Sequence, residues 1–317
     1  MMFDVRAIAI MSWLTTGAGA YAQDYPVRPI RVIVGPGPDI VARIIGQKFT
    51  EAWGQQVVID TRPAAGGVIA AEAVAKSAPD GYTLLLSSAS YPINAALQIG
   101  TTDVIKDFSA VALAASAPFI LMVHPSLPVK SMRELIALAK ARPGQINYAS
   151  SGNGTPPHLA AEMFKAAAGI NIVHVPYKGA GQAMIDLVGG QVQMAFAIVS
   201  AALPQVQAGK VRALAVSSPQ PSPLAPDLPT LHELGLTGFD VKGWNGFVAP
   251  AATPRAIIMR INAEAMRVLK QPDVVQRLKG AGYDAAAENS PEQFADFIRA
   301  ELAKWTRVVK ESGAKVD

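Results

Sequence analysis

The sequence predicts an α/β fold of two lobes, each a mainly parallel sheet flanked by helices, with a ligand cleft between them. Three observations carry this. Short β-branched runs alternate with glycine- or serine-rich loops and amphipathic helical stretches along most of the chain, the pattern of a parallel sheet. A strand–loop–helix unit occurs twice in direct succession, as INYASSGNGTPPHLAAEMFKAAAG over residues 146–169 and INIVHVPYKGAGQAMIDLVGGQVQ over residues 170–193. The chain leaves a first α/β unit near His124 and returns to it near Trp244. Two crossings imply two lobes joined by two strands, a geometry suited to hinge closure.

The elements follow in order. Residues 30–34 form a β-branched strand, followed by the loop 35–39 (GPGPD) and a helical pattern over 40–49 with Asp39 placed as N-cap. A short strand over 56–59 precedes an alanine-rich helix over 64–76 opened by Gly66 and Gly67. After a turn at Pro79-Asp80-Gly81, a buried strand over 82–86 feeds the small-residue loop Ser87-Ser88-Ala89-Ser90. Ligands of such sheets sit beyond the carboxyl ends of the strands, where these loops lie. An apolar strand over 119–123 ends at His124-Pro125, and Ser131 with Glu134 three residues on forms a capping box for a helix over 131–140.

Past the doubled unit, strands are predicted over 193–198 and 211–216, with a helix between them that ends at Gly209-Lys210. Five prolines within 218–229 make an irregular surface loop. Residues 243–250 (GWNGFVAP) return as a strand, with Trp244 and Phe247 packed under the cleft as hinge core. The tail is helical over 254–269, 272–279 and 291–310; Ser290 caps the last helix, Pro291 starts it and Gln293 reciprocates. Phe294, Phe297, Ile298, Trp305 and Val308 share one apolar stripe of that helix. The lobes are then residues 23–123 with 247–317, and residues 124–246.

The doubled unit is the functional clue. Each copy sets small or polar residues before a helix, so backbone N–H groups are expected to point at whatever lies above the helix start. That end carries roughly half a positive elementary charge and binds anions. Two such loops facing one cleft make a carboxylate or phosphate pocket. The glycines of 152–154 serve either to turn the chain or to hold a ligand, and their pairing with the 178–181 loop favours the second. His158 is a cap, a packing residue or a ligand contact, and Lys178 a rim charge or a ligand contact. Ser151 with His158 suggests an esterase-like hydrolase, but no G-x-S-x-G elbow surrounds Ser151 and no acid partner is indicated. A binder of small anions is the favoured reading, not an enzyme.

Composition excludes other classes. Of 317 residues, 50% are hydrophobic and 16% charged, which marks a globular chain. The net charge of +4 comes from scattered Lys and Arg with no basic run, so no nucleic-acid partner is expected. Cysteine is absent, which removes disulfides, thiolate metal sites and a cysteine nucleophile. His124, His158, His174 and His232 lack metal-ligand spacing, so neither a metal nor a cofactor is expected. The first 22 residues carry Arg6, an apolar run over 7–14 and Ala20-Tyr21-Ala22 before Gln23, the pattern of a cleaved signal peptide. Asp4 weakens that pattern, and a frayed N-terminus is the other reading. No later stretch has the ~18 apolar residues that span a bilayer. The mature chain is expected to be soluble, monomeric and outside the cytoplasm.

The stretches YPVRPIRVIV, PDGYTLLL, KDFSAVALAA, ELIALAKARPGQINYASSGNGTPPHLAAEMF, VHVPYKGAGQAMIDLVGGQVQ, GKVRALAVSS and PEQFADFIRAELAKW resemble the Bug receptors, the periplasmic solute-binding proteins of tripartite tricarboxylate transporters. The resemblance runs from about Tyr25 to Asp317. It implies a type II-like periplasmic binding fold, no catalysis, a small carboxylate ligand and permease subunits as partners. A sensory receptor of the same fold, feeding a signalling partner, is the alternative. By position, the resemblance implies ligand contacts at Gly37, at Ser88, Ala89 and Ser90, at Ser151, Gly152, Asn153, Gly154, Thr155 and His158, and at Lys178, Gly179 and Ala180. Two departures stand out. The 35–39 loop is about four residues shorter than the family's PFPPGGSTD pattern, and its prolines have no N–H to donate. Ala197 stands where the family often has aspartate, which points to a less polar acid than an amino acid.

Overall fold

The computed structural model describes residues 25–35, 39–62 and 67–312. The expected signal segment and Gly37 lie outside the described residues. In the first half, β1 (Ile30–Val34), α1 (Ile40–Trp53), β2 (Val57–Thr61), α2 (Val68–Ala75), β3 (Thr83–Ser88), α3 (Ser90–Ala96) and β4 (Phe108–Val123) follow in turn. The second half holds α4 (Met132–Ala141), β5 (Asn147–Ser150), α5 (Pro156–Ala168), β6 (Val173–Pro176), α6 (Ala180–Val188), β7 (Met194–Ile198), α7 (Val199–Gln207) and β8 (Arg212–Val216). The chain then returns through β9 (Lys242–Pro250) and closes with α8 (Arg255–Leu269), α9 (Pro272–Gly280), β10 (Asp284–Ala285) and α10 (Pro291–Ser312).

Local chemistry sets many boundaries. Helix α1 buries Val41, Ile44, Ile45 and Phe49, a helical spacing, and stops at Gly54, whose left-handed φ of 65° lets its N–H reach the Thr50 carbonyl. Asp39 does not cap α1 through its side chain as expected; its carboxylate is 2.5 Å from Arg43 one turn on. The Ser290–Gln293 capping box forms as expected, with Ser290 N–H donating to Gln293 Oε1 at 2.8 Å and Gln293 N–H to Ser290 Oγ at 3.2 Å. At α4 the Ser131 half forms, but Glu134 accepts from the N–H of Lys130, not from that of Ser131.

The strands run in the order β2-β1-β3-β9-β4-β7-β5-β6, with β8 and β10 also paired to β4. Pairing is parallel at β1–β2, β1–β3, β5–β6 and β5–β7. It is antiparallel wherever β4 and β9 take part. The sequence pattern did not separate β4 before Phe119: Ser109–Pro118 is mostly alanine and serine, residues that favour strands weakly, and pairing with β9 is what extends it. Along β4 the partner changes. Residues 108–118 bond to β9, while Phe119–Val123 lie between β7 and β8.

The core has four clusters, two on each side of the change. One face of the first sheet packs on α1, α8 and α9 through Ile44, Phe49, Ile258 and Leu278. Its other face packs on α2 and the start of α10 through Val74, Trp244, Phe294 and Ile298. The second sheet packs on α4 and α5 through Leu135 and Phe164 on one side, and on α6 and α7 through Leu187 and Ala202 on the other. Helix α10 reaches both halves. Its 22 residues span about 33 Å, and Trp305 and Val308 near its end join the cluster of the second sheet.

Glu301 fastens α10 in place. One carboxylate oxygen accepts from the indole N–H of Trp244 at 3.0 Å and of Trp305 at 3.1 Å, and the other pairs with Lys304. Glu301 and both tryptophans are buried. Glu301→Ala strands two indole donors in the interior and leaves Lys304 with the Asp240 carbonyl alone, so urea denaturation should show a loss of about 3 kcal/mol. Glu301→Gln, which keeps an acceptor, should lose markedly less; equal losses would mean that the negative charge, and not the accepted indole bonds, is what the side chain contributes.

Candidate functional site

The carboxyl ends of β1 and β3 meet the second half at a cleft of about 100 Å³. The first sheet contributes Val34, Gly35, Leu86, Ser88 and Ala89, and the returning strand β9 adds Gly243, Trp244 and Asn245. Tyr283 enters from the turn after α9, and Pro156 and Ile198 close the wall from the second half. Register explains the central group, since Ser88 lies opposite Asn245 in the β3–β9 ladder. Ser87-Ser88-Ala89-Ser90 is not a loop as expected. Ser87 and Ser88 end the strand, Ala89 caps, and Ser90 is the first residue of α3. The strand passes into the helix with no slack, which fixes Ser88 and Ala89 at the cleft.

No charged residue lines this cleft among the described residues. Nor does a side-chain hydrogen bond among them occupy Ser88, Asn245 or Tyr283. Behind Gly35 sits the Tyr91 hydroxyl, sealed from solvent and without a partner among the described residues. A Cβ on Gly35 would come within 2.5 Å of it, so a larger residue here would have to displace the buried Tyr91 ring.

The second predicted jaw lies beside the cleft, at the ends of β5 and β6. Its loop is held together from within. Ser150 Oγ accepts the Gly152 N–H at 3.1 Å and shares a hydrogen bond with His174 Nε2 at 2.7 Å. The Gly154 N–H donates to His158 Nδ1 at 3.1 Å, and the Thr155 hydroxyl donates to the Gly152 carbonyl at 2.7 Å. The expectation of several free donors here is therefore corrected: the N–H groups of Gly152, Gly154 and Thr155 all have partners inside the loop. Ser151 makes no hydrogen bond to another described residue. Gly152 is required by its φ of 134°, and a Cβ there would stand 3.3 Å from the Tyr177 carbonyl, which ties this loop to its neighbour in the second copy.

His158 is buried, and its ring, which accepts the Gly154 N–H, is stacked on His174 with centroids 4.0 Å apart. Tyr148 stacks on the far side of His174 and donates to Glu162 at 2.6 Å. Lys178 is exposed, and Gly179 and Ala180 start α6 one strand further out from the cleft. Ala197 packs with the α6–α7 side of the sheet, while the next residue, Ile198, faces the cleft. Of the predicted residues, Ser88 and Ala89 line the cleft and Thr155 adjoins Pro156, which lines it; the others in the second half stand behind or beside it. Sequence reasoning passed over Asn245, Tyr283, Pro156 and Ile198 as site residues. Asn245 had a signal, an amide between Trp244 and Gly246 in an apolar strand; Tyr283 had none.

A larger hollow of about 350 Å³ lies elsewhere, between α5, the 236–239 segment and the end of α10. It contains none of the predicted site residues.

The family model described as the tripartite tricarboxylate transporter family receptor, TctC, matches residues 41–314. The chain belongs to this family. Its members are solute-binding proteins, not enzymes, and the chain has their two-lobed periplasmic binding fold. Protein BugT of Bordetella pertussis is 36% identical, with 98% of each chain covered. The solved structure of Rhodopseudomonas palustris Rpa4515 with adipate is 32% identical, with a TM-score of 0.82 over 92% of this chain and 100% of that one. MatC from the same organism, with bound malate, is also 32% identical, with a TM-score of 0.78 over 90% and 100%.

The stacked histidines make the TctC-family loop sensitive to acid. Burial holds the His158 ring below the usual imidazole range and, with the adjoining His158 ring and Lys165, lowers His174 to about 4. Both rings are neutral at pH 7. An unfolded histidine takes up its proton near 6.5, so below that pH the unfolded chain binds more protons than the folded one. Stability from these rings is complete above about 6.5 and declines as the pH falls through the His174 value of about 4. Melting temperatures across that window should fall less steeply for His174→Asn than for the wild type. Parallel curves would remove His174 from this account.

Proposed function

We propose that the protein is a periplasmic receptor that captures a small organic acid in the cleft between its halves and delivers it to the permease subunits of a tripartite transporter. The observation that carries this is the cleft itself. It opens at the seam where β4 changes partner, and residues of both halves wall it, so closing the seam encloses a ligand. The relatives with adipate and malate support a carboxylate, and the start of α5 at Pro156 brings the positive end of a helix dipole to the wall.

The sequence-based division into two lobes, 23–123 with 247–317 and 124–246, is kept as part of this proposal. Their pivot falls on β4 and β9; what supports it is that β4 exchanges β9 for β7 and β8 between Pro118 and Phe119. Export follows from residues 1–22 as a signal peptide cleaved after Ala22, and a monomer suffices. Among the described residues no helix is long and apolar enough to cross a membrane, so membrane contact is assigned to the permease. The short 35–39 loop and Ala197 bias the choice toward an acid with few polar substituents.

A thermal-shift screen against mono-, di- and tricarboxylates, with matched neutral compounds, tests this reading. An acid present at 100 times its Kd stabilises the fold by about 2.7 kcal/mol, and its amide should give no comparable shift. A shift with a neutral compound and with no acid would overturn the assignment.

A further inference from the structure

The carboxylate reading leaves open how a cleft without a charged wall holds an anion. We infer that Asn245 and Tyr283 are its specificity-determining donors, and that together they select an acid whose chain beside the carboxylate is unsubstituted and apolar. The inference rests on the carboxylate assignment and adds the head-group contacts and the chain chemistry.

Most of the wall is apolar, with Val34, Leu86, Pro156, Ile198 and Trp244 on opposing sides. A carboxylate placed among them loses its water and must find hydrogen-bond donors. Asn245 and Tyr283 line this same cleft, and their side chains have no hydrogen-bond partner among the described residues. Each supplies a neutral donor, an amide N–H and a phenolic O–H.

Both sit on fixed backbone. Asn245 is held between β3 and β4, opposite Ser88 on one side and Ala115 on the other. The Tyr283 N–H bonds to the Leu278 carbonyl at 2.9 Å. Gly282 before it has a φ of 80°, and a Cβ there would lie 2.3 Å from Ser200 Cβ, so the turn is pressed against the start of α7. Donors fixed in this way need little ordering when the ligand arrives. Tyr283 is only 4% exposed, and it lines the cleft. Burial raises its pKa and keeps the proton on the oxygen.

The apolar wall then discriminates along the chain. With Ser88, opposite Asn245, turned to the carboxylate beside Asn245 and Tyr283, a hydroxyl on the adjoining carbon would face Leu86, Ile198 or Trp244 without a partner. A site with no polar group left for such a hydroxyl disfavours the acid that carries it, roughly tenfold or more.

Isothermal titration of the full chain with glutarate, 2-hydroxyglutarate and glutaramide tests both parts. Wild type should bind glutarate roughly tenfold or more tighter than 2-hydroxyglutarate, and glutaramide weakest. Tyr283→Phe should lose roughly tenfold in glutarate affinity while its glutaramide affinity changes little, which a loss of packing would not produce. Asn245→Asp keeps the shape but adds a negative charge and removes the N–H₂ group, and should abolish glutarate binding. Should the Asp variant fail to fold, Tyr283→Phe decides. Variants that bind glutarate like wild type, or that lose acid and amide equally, overturn the donor assignment. A preference for 2-hydroxyglutarate, or no glutarate binding while other acids shift the melting temperature, overturns the proposed chain chemistry and leaves the receptor reading standing. If no acid binds at all, the carboxylate reading fails and this inference with it.

Discussion

One strand, β4, runs through the sheets of both halves of this molecule and sets where a ligand can go. Because Phe108–Val123 bonds first to β9 and then to β7 and β8, both sheets share one backbone rib. The carboxyl ends of β1 and β3 therefore come to face Pro156 and Ile198 from the other sheet. Everything at the cleft follows from that sharing. Ser88 reaches the seam because β3 lies beside β9, and Asn245 because β9 lies between β3 and β4. Leu84 and Leu86 pack on one face of β3 and Leu85 on the other, so a slip by one residue would exchange the side chains fitted to the two packed faces.

The second tie is the terminal helix. It packs Phe294 and Ile298 on the first half and Trp305 on the second, with Glu301 joining the indoles of Trp244 and Trp305. Trp244 also lines the cleft, so the hydrogen bond that secures α10 fixes part of the binding wall. The 151–155 loop is ordered differently, by its own hydroxyls and by His158, with His174 and Tyr148 stacked beneath. One wall is thus shaped by long-range pairing, and the loop beside it by a local polar network.

Much of the fold was legible in the sequence where a local rule decided the structure. The parallel strands, the doubled unit over 146–193 and the Ser290 cap each follow from side-chain pattern or hydrogen-bond chemistry within a few residues. The first part of β4 was not legible, because Ser109–Pro118 has weak strand preference and becomes a strand by pairing with a segment far away in the chain. Ser87–Ser90 looked like a loop because small polar residues usually are one; here the buried end of a strand runs directly into a helix. The glycines of 152–154 were recognisable as a tight loop. What their N–H groups bond to was not, since His158 and Ser150 compete for them inside the loop. Asn245 and Tyr283 lie far apart in sequence and far from Ser88, and only the strand order brings them to one place.

The central claim is that this seam, and no other concavity, holds the ligand. It is tested most directly by a crystal structure of the full chain grown with the acid that gives the largest thermal shift. The account predicts density for that acid between Ser88, Asn245 and Tyr283 on one side and Pro156 and Ile198 on the other. Density instead in the larger hollow beside Glu162, Leu236 and Arg307, with the seam occupied only by water, would contradict it.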